Sequence, residues 1–218
     1  MKKEDIKWVF AYAVLFAVVM ILIITEGFAW ANMKFPYLAG FFQFAIFASA
    51  GEILSSRILE GEWVMNRATA FKAFCWGGGG IIVTLAFRVF SEGTECVMQI
   101  GLLPFYGNSL ALAFFTSCTN NFFFAPLHSA AMRVCGSYAE LRYKQSEKIT
   151  VRQAIEFIDW GELVDFVLFK TIPFFWIPIN TLGFLLPVEY RIVFAAMLSL
   201  VFGILMTVLK LRERRVQQ

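Results

Sequence analysis

The chain has 218 residues, 59% of them hydrophobic and only 16% charged, against about 45–50% and about 25% in an ordinary soluble domain. That balance excludes a water-soluble fold and predicts an all-α, polytopic transmembrane helical bundle with five to six membrane segments of about 20 residues each. The net charge of +3 is small, and its Lys and Arg fall at span ends rather than along one stripe, which excludes a nucleic-acid surface.

Lys2, Lys3 and Lys7 precede an uncharged apolar stretch of 18 residues, Trp8 to Thr25. It exceeds the roughly 7–15-residue core of a signal peptide, and Glu26, Phe28 and Trp30 stand where a cleavage site needs small residues, so it reads as a retained helix. A second helix is expected from Pro36, a favoured helix start, to about Leu59, in a tight hairpin with the first. The third runs from about Arg67 to Phe90 and contains the run Gly77 to Gly80; the fourth runs from about Tyr106 to Met132. Arg133 to Asp165 is a polar interfacial connector, within which Ile149 to Asp165 suits an amphipathic surface helix. From Phe166 to Leu186 the chain is apolar again but interrupted by Lys170, Pro173, Pro178 and Asn180, the pattern of a broken or re-entrant span. The last helix, Pro187 to Leu209, ends in Lys210, Arg212, Arg214 and Arg215, a flank expected on the cytoplasmic or matrix-equivalent face. With a basic N-terminus as well, both ends share a face, the crossings are even in number, and the interrupted segment counts as one of them. Acidic Glu92 and Glu95 then fall on the opposite face.

Polar groups inside these spans are the candidate functional residues, because a charge at the centre of a membrane helix costs roughly 2.5–3.5 kcal/mol unless it finds water or a partner. Glu52 lies deep in the second helix, about two turns from the end that leads to Arg67 and Lys72, so an ion pair with one of these is expected. It reads either as such a structural pair or as an acid lining a pathway. Gln43, Gly51 and Glu52 share one stripe of that helix within about 100°, which should face the bundle. Asn120 and Asn121 lie midway along the fourth helix, as interhelical glue or as a polar lining. Gly77 to Gly80 suits close helix packing better than a flexible break, and with no Lys-Ser or Lys-Thr after it the run is not a phosphate loop.

Cys75, Cys96, Cys118 and Cys135 are scattered without a Cys-x-x-Cys pair and read as packing residues. His128 is the only histidine, so neither a multi-histidine metal site nor a catalytic pair can form around it within one chain. The 26 phenylalanines and six tryptophans suit interhelical packing and interfacial belts. No nucleophile elbow, zinc-protease motif or dinucleotide fingerprint is present, so no enzyme activity, no metal and no cofactor are expected.

Several of these fragments, taken in order, resemble the family of organelle membrane proteins that includes Mpv-seventeen and the 22-kilodalton peroxisomal membrane protein. Gly51-Glu52-Ile53 stands where that family has a Gly-Asp pair, with Ser55 and Ser56 replacing its Ser and Gln. Arg67 and the glycine-rich helix that follows are similar to its second helix, whose Gly-Pro step is here Gly80-Ile81. Asn120-Asn121-Phe122-Phe123-Phe124-Ala125-Pro126 resembles its Asp-Gln with a Pro five residues after the Gln. Trp176, Pro178 and Asn180 are similar to its Trp-Pro and Asn-Phe elements, and Pro187 to Arg191 keeps its Pro-x-x-x-Arg spacing. The family's Trp-Asn is absent around Phe202 and Gly203.

The resemblance covers about Pro36 to Leu209. It implies a family-like four-helix core within residues 36–218, including the interfacial connector 133–165, and makes residues 1–35 an additional N-terminal transmembrane helix. It also implies a channel or pore for small solutes. Together with the polar residues this gives a small-solute passage with Gln43, Glu52, Arg67, Arg88, Asn120, Asn121, Asn180 and Arg191 at or near membrane depth. Gly51, Gly80, Pro126, Trp176, Pro178 and Pro187 form its structural motif, and Pro173 to Pro187 would supply exposed carbonyls or a gate. The rival reading is a structural or assembly protein without transport. Expected partners are the lipid bilayer and small solutes, with a homo-oligomer left open and no nucleic acid. Glu4, Asp5 and the lack of an early arginine argue against a mitochondrial presequence. A bacterial-type plasma membrane is therefore the expected location, and an organelle inner membrane the alternative.

Overall fold

A computed structural model describes residues 3–144 and 148–216, and every regular element among them is helical. In chain order these are α1 (Lys3–Ile24), α2 (Gly27–Lys34), α3 (Pro36–Glu60), α4 (Arg67–Gln99), α5 (Ser109–Thr119), a π-helical turn (Asn120–Phe124), α6 (Ala125–Lys144), α7 (Val151–Glu156), α8 (Trp160–Glu162), a π-helical segment (Leu163–Trp176), α9 (Ile177–Leu185) and α10 (Val188–Val216). Five helical stretches are long and apolar enough to cross a membrane: Glu4–Ile24, Pro36–Glu60, Arg67–Gln99, Ser109–Tyr143 and Val188–Val208. The protein is a polytopic helical membrane protein. Expectations for Lys2 and Glu147, and for the side chains of Lys3, Lys144, Lys210, Arg214 and Arg215, fall outside what is described.

The first hairpin is not tight. Glu26 turns left-handed (φ 56°) and starts α2, whose buried Asn32 donates to the Glu189 carbonyl at 2.6 Å and accepts from Gln43 at 2.8 Å. Residues 27–34 thus pack into the bundle rather than belonging to a separate N-terminal helix. At its other end α1 is clamped by Asp5, which takes Arg57 Nε at 2.8 Å, Arg57 Nη2 at 3.1 Å and the Trp63 indole N–H at 2.9 Å. Trp8 stacks on Trp63 with ring centroids 5.1 Å apart, and the Tyr12 hydroxyl donates to the Ala50 carbonyl at 2.6 Å. Gly61, at φ 78°, ends α3 in the left-handed turn that a side chain would resist.

Glycines let α3, α4 and α10 close on each other. A Cβ on Gly40 would stand 2.9 Å from the Gly80 carbonyl oxygen, and one on Gly80 would strike the Gly40 carbonyl. Gly77 accommodates the Phe41 ring, and Gly51 lies against the Leu200 backbone. The glycine run is therefore a packing surface, except at Gly78, which meets nothing. The apolar core, Val19, Phe28, Phe44, Phe47, Val83, Ile192, Val193 and Ala196, fills the same three helices and their flanking α1 and α2.

Other boundaries depart from the sequence reading for identifiable reasons. α4 continues past Phe90 to Gln99 because no proline intervenes and Gly93 keeps helical backbone, the chain turning left-handed only at Gly101, at φ 81°. The fourth helix begins at Ser109, where the Asn108 side chain caps Ala111 N–H at 3.0 Å. It continues past Met132 to Lys144, so the first part of the expected connector is helix. The surface helix is only Val151–Glu156, started by a Thr150–Gln153 capping box. Asp159 then starts a new helix by accepting from Glu162 N–H at 2.9 Å.

Residues 160–185 are not broken. From Leu163 to Trp176 the turns widen to π register, visible in Thr171 Oγ1 donating to the Phe166 carbonyl and Lys170 pairing with Asp165, both five residues apart. The wider turn absorbs Pro173, which would clash with the carbonyl four residues back in α register. Pro178 falls in the first turn of α9, where its missing N–H is harmless. The last helix likewise starts just after Pro187.

Asp5 of α1 meets Arg57 near the C-terminal end of α3, and Thr207 of α10 bonds Ser55 in the same end of α3 at 2.7 Å. The start of α1 and the late turns of α10 therefore share a face, here termed the basic face.

Candidate functional site

Between α3, α4, α6, the 160–185 rod and α10 lies a cavity of about 520 Å³. Its walls are mostly apolar, with Phe44, Trp76, Phe124 and Trp176 contributing rings, and a few polar groups converge on it. Two sets of these can be separated. Toward the basic face stand Glu52, Ser55, Arg133 and Thr207; midway along the helices stand Asn120, Asn121, Asn180 and His128.

The Glu52 carboxylate accepts from Lys72 Nζ at 2.7 Å, and Lys72 also reaches Glu140 at 3.3 Å. The expected pairing is met by Lys72, one of the two cations the spacing allowed, while Glu140 was missed because it lies 68 residues from Lys72 in the chain. Arg133 pairs with Glu162 at 3.1 Å, joining α6 to the start of the 160–185 rod. One lysine between two carboxylates leaves the triad with a formal charge of −1.

The amides owe their placement to a proline. Pro126 cannot donate, and its ring would press on the carbonyl four residues earlier. The π turn at Asn120–Phe124 relieves this, with Ala125 N–H bonding the Asn120 carbonyl. Re-registering the helix turns two consecutive residues inward, Asn120 at 3% and Asn121 at 1% exposure, while Phe122 and Phe123 face outward. Asn121 donates to the Ser117 carbonyl at 2.9 Å and accepts from Asn180 at 3.4 Å. Ser117 itself donates to the Ile177 carbonyl at 2.8 Å. Asn120 has no such partner: its Oδ1 is fully enclosed and unbonded, as is His128 Nε2.

The remaining expected residues lie elsewhere. Gln43 is buried and serves Asn32, with its Oε1 unbonded. Only Glu52 from its stripe lines the cavity, because Gly51 turns to α10. Arg67 is exposed at the first residue of α4. Arg88 and Arg191 line a second pocket of about 200 Å³ on the face opposite the basic one, with Asn32, Ser91, Glu92 and Glu189. Arg191 donates to Ser91 Oγ and to the Leu186 carbonyl, both at 3.0 Å. Trp176 lines the main cavity and packs on Phe202 at 4.9 Å between centroids. Sequence reading passed over the Asp5–Arg57–Trp63 clamp, although an acid beside the first apolar run was its signal. Among the described residues no group of three His, Cys, Asp or Glu side chains could hold a metal ion.

No family model, no curated protein and no solved structure matches this chain.

Proposed function

We propose that this chain forms a passage for small solutes through its membrane, with the 520 Å³ cavity as the chamber in which the solute is held. The carrying observation is the Asn120 amide, buried in the cavity wall with its oxygen unbonded. Asn121 and Asn180 in the same wall bond each other, whereas the Asn120 oxygen beside the cavity meets no partner, and a buried polar group left unpaired calls for one. A largely apolar concavity with a few converging polar groups is also the usual form of a small-molecule site. Asn121 and Asn180 supply further hydrogen-bonding dipoles, and Glu52, neutralised by Lys72, shapes the mouth on the basic face. The resemblance of four short motifs to the Mpv-seventeen family supports the same reading, and two of its elements, Asn120 to Pro126 and Trp176 to Asn180, contribute cavity walls.

In this proposal the protein works in a bacterial-type plasma membrane and needs neither cofactor nor catalytic residue, and the residues lining the chamber all come from one chain. The test is reconstitution of purified protein into vesicles and planar bilayers. Solute flux above protein-free controls supports the passage; none at any voltage or pH refutes it. The rival structural reading has one observation in its favour: Lys72 already saturates Glu52. Glu52→Gln separates the two, since a purely architectural carboxylate would lower thermal stability in detergent without altering flux.

A further inference from the structure

The two pockets are neighbours in the bundle, the larger reaching toward the basic face and the smaller lying toward the opposite one, and a single residue, Phe87, borders both. Around it the wall is apolar and closed. Phe44 at 5%, Val83 at 5% and Ile192 at 7% exposure stand between them, and Phe184, at 4%, packs on Phe87 in a tilted contact with centroids 4.8 Å apart. On α10 the change of pocket takes less than one turn, from Ile192 in the smaller to Ala195 in the larger. The separation is therefore about 5 Å deep along that helix, at 1.5 Å per residue.

We infer that Phe87 is the movable part of an apolar septum dividing one passage into two vestibules, and that this septum passes uncharged hydrogen-bonding solutes while rejecting ions. The inference rests on the passage proposed above and extends it to a gate and a solute class. A dry apolar constriction holds back an ion, which cannot shed its hydration there, and obstructs a small neutral molecule far less. Immediately beside the septum the larger vestibule presents uncharged amides, Asn120, Asn121 and Asn180, which can replace water around a hydroxyl or amide group. Its charges, Glu52 and Arg133, are held by Lys72 and Glu162 at the far mouth. In the smaller vestibule Arg88, Arg191, Glu92 and Glu189 balance in sign. Phe87 is the side chain placed to open the path, because it alone touches both spaces and is less enclosed than Phe44 or Phe184.

The test uses the full chain in vesicles, with glycerol as neutral probe and potassium as ion. Wild type is expected to pass glycerol without potassium current. Phe87→Trp should lower glycerol flux at least fivefold, and Phe87→Ser should admit potassium. A second measurement does not depend on flux: with Cys75, Cys96, Cys118 and Cys135 replaced, Ser199→Cys in the larger vestibule is probed with a membrane-impermeant maleimide. It should react only from the basic face in the presence of Phe87, and from both faces with Phe87→Ala. Glycerol flux within twofold of wild type in both Phe87→Trp and Phe87→Ser overturns the septum while leaving the passage standing. If wild type passes other small solutes but no glycerol, the solute class is overturned; if it passes no solute at all, the passage reading fails, and labelling decides the septum: one-sided labelling in both backgrounds overturns it, and a change to two-sided labelling upholds it.

Discussion

The three helices α3, α4 and α10 and the pair formed by α5–α6 with the 160–185 rod are built by opposite rules. In the first group glycines meet glycine, backbone or the Phe41 ring, α-helical register is unbroken, and Gln43 Oε1 and Ser49 Oγ are left unbonded away from the cavity. In the second, two prolines force π turns, and the unbonded Asn120 oxygen and His128 Nε2 belong to residues that line the cavity shared with the first group. The difference lies in what each leaves unfilled. Where helices can approach to backbone contact, the bundle is a scaffold; where turn widening keeps them apart, it has room for a ligand.

The largest expected effect attacks the scaffold. Gly80→Val places carbon atoms against the Gly40 carbonyl, a backbone atom that cannot rotate away, and should destabilise the protein by about 3 kcal/mol. Thermal unfolding in detergent measures this, and Gly78→Val, whose Cβ meets nothing, is the internal control that should change little. If both variants melt alike, close α3–α4 packing is not what the glycines provide.

Next comes the ion triad. Lys72→Met strands Glu52 and Glu140 together, and removing one partner of a fully buried pair costs about 3–5 kcal/mol. Glu140 is 42% and Glu52 34% exposed at the side chain, so about 2 kcal/mol is expected, again by thermal unfolding. Glu52→Gln leaves Lys72 its second carboxylate and should cost about 1 kcal/mol. Reversal of that order would mean Glu140 contributes nothing to holding Lys72.

How far the sequence could be read follows the same division. Span positions were legible because a hydrocarbon core demands uncharged runs of known length, and the start of α3 at Pro36 and of α4 at Arg67 came out to the residue. The Glu52–Lys72 pair was within reach because both lie near one short loop. The break expected at Pro173 and Pro178 failed because prolines were read in α register, and a π turn removes the conflict they create. Arg88 and Arg191 looked equivalent to Glu52 as charges at depth, but hydropathy gives no azimuth, and only packing puts them in a different pocket. The 520 Å³ cavity was invisible, since nothing in a span of Phe, Leu and Ala says which faces fail to touch.

The smallest expected effect on stability is the most informative about the site. Asn120 and Asn121 are neighbours in sequence and nearly equal in burial, yet Asn121 bonds Ser117 and Asn180 while the Asn120 oxygen bonds nothing. Asn121→Ala should therefore destabilise by about 1 kcal/mol, the scale of an interhelical side-chain hydrogen bond in a membrane. Asn120→Ala should lie within about 0.5 kcal/mol of wild type or raise the melting temperature, because removing an unbonded polar oxygen relieves an unmet desolvation cost. If Asn120 exists for a solute, the same substitution should reduce glycerol flux in vesicles several-fold. Loss of stability with unchanged flux would move Asn120 from the chamber into the scaffold and remove the observation on which the passage rests.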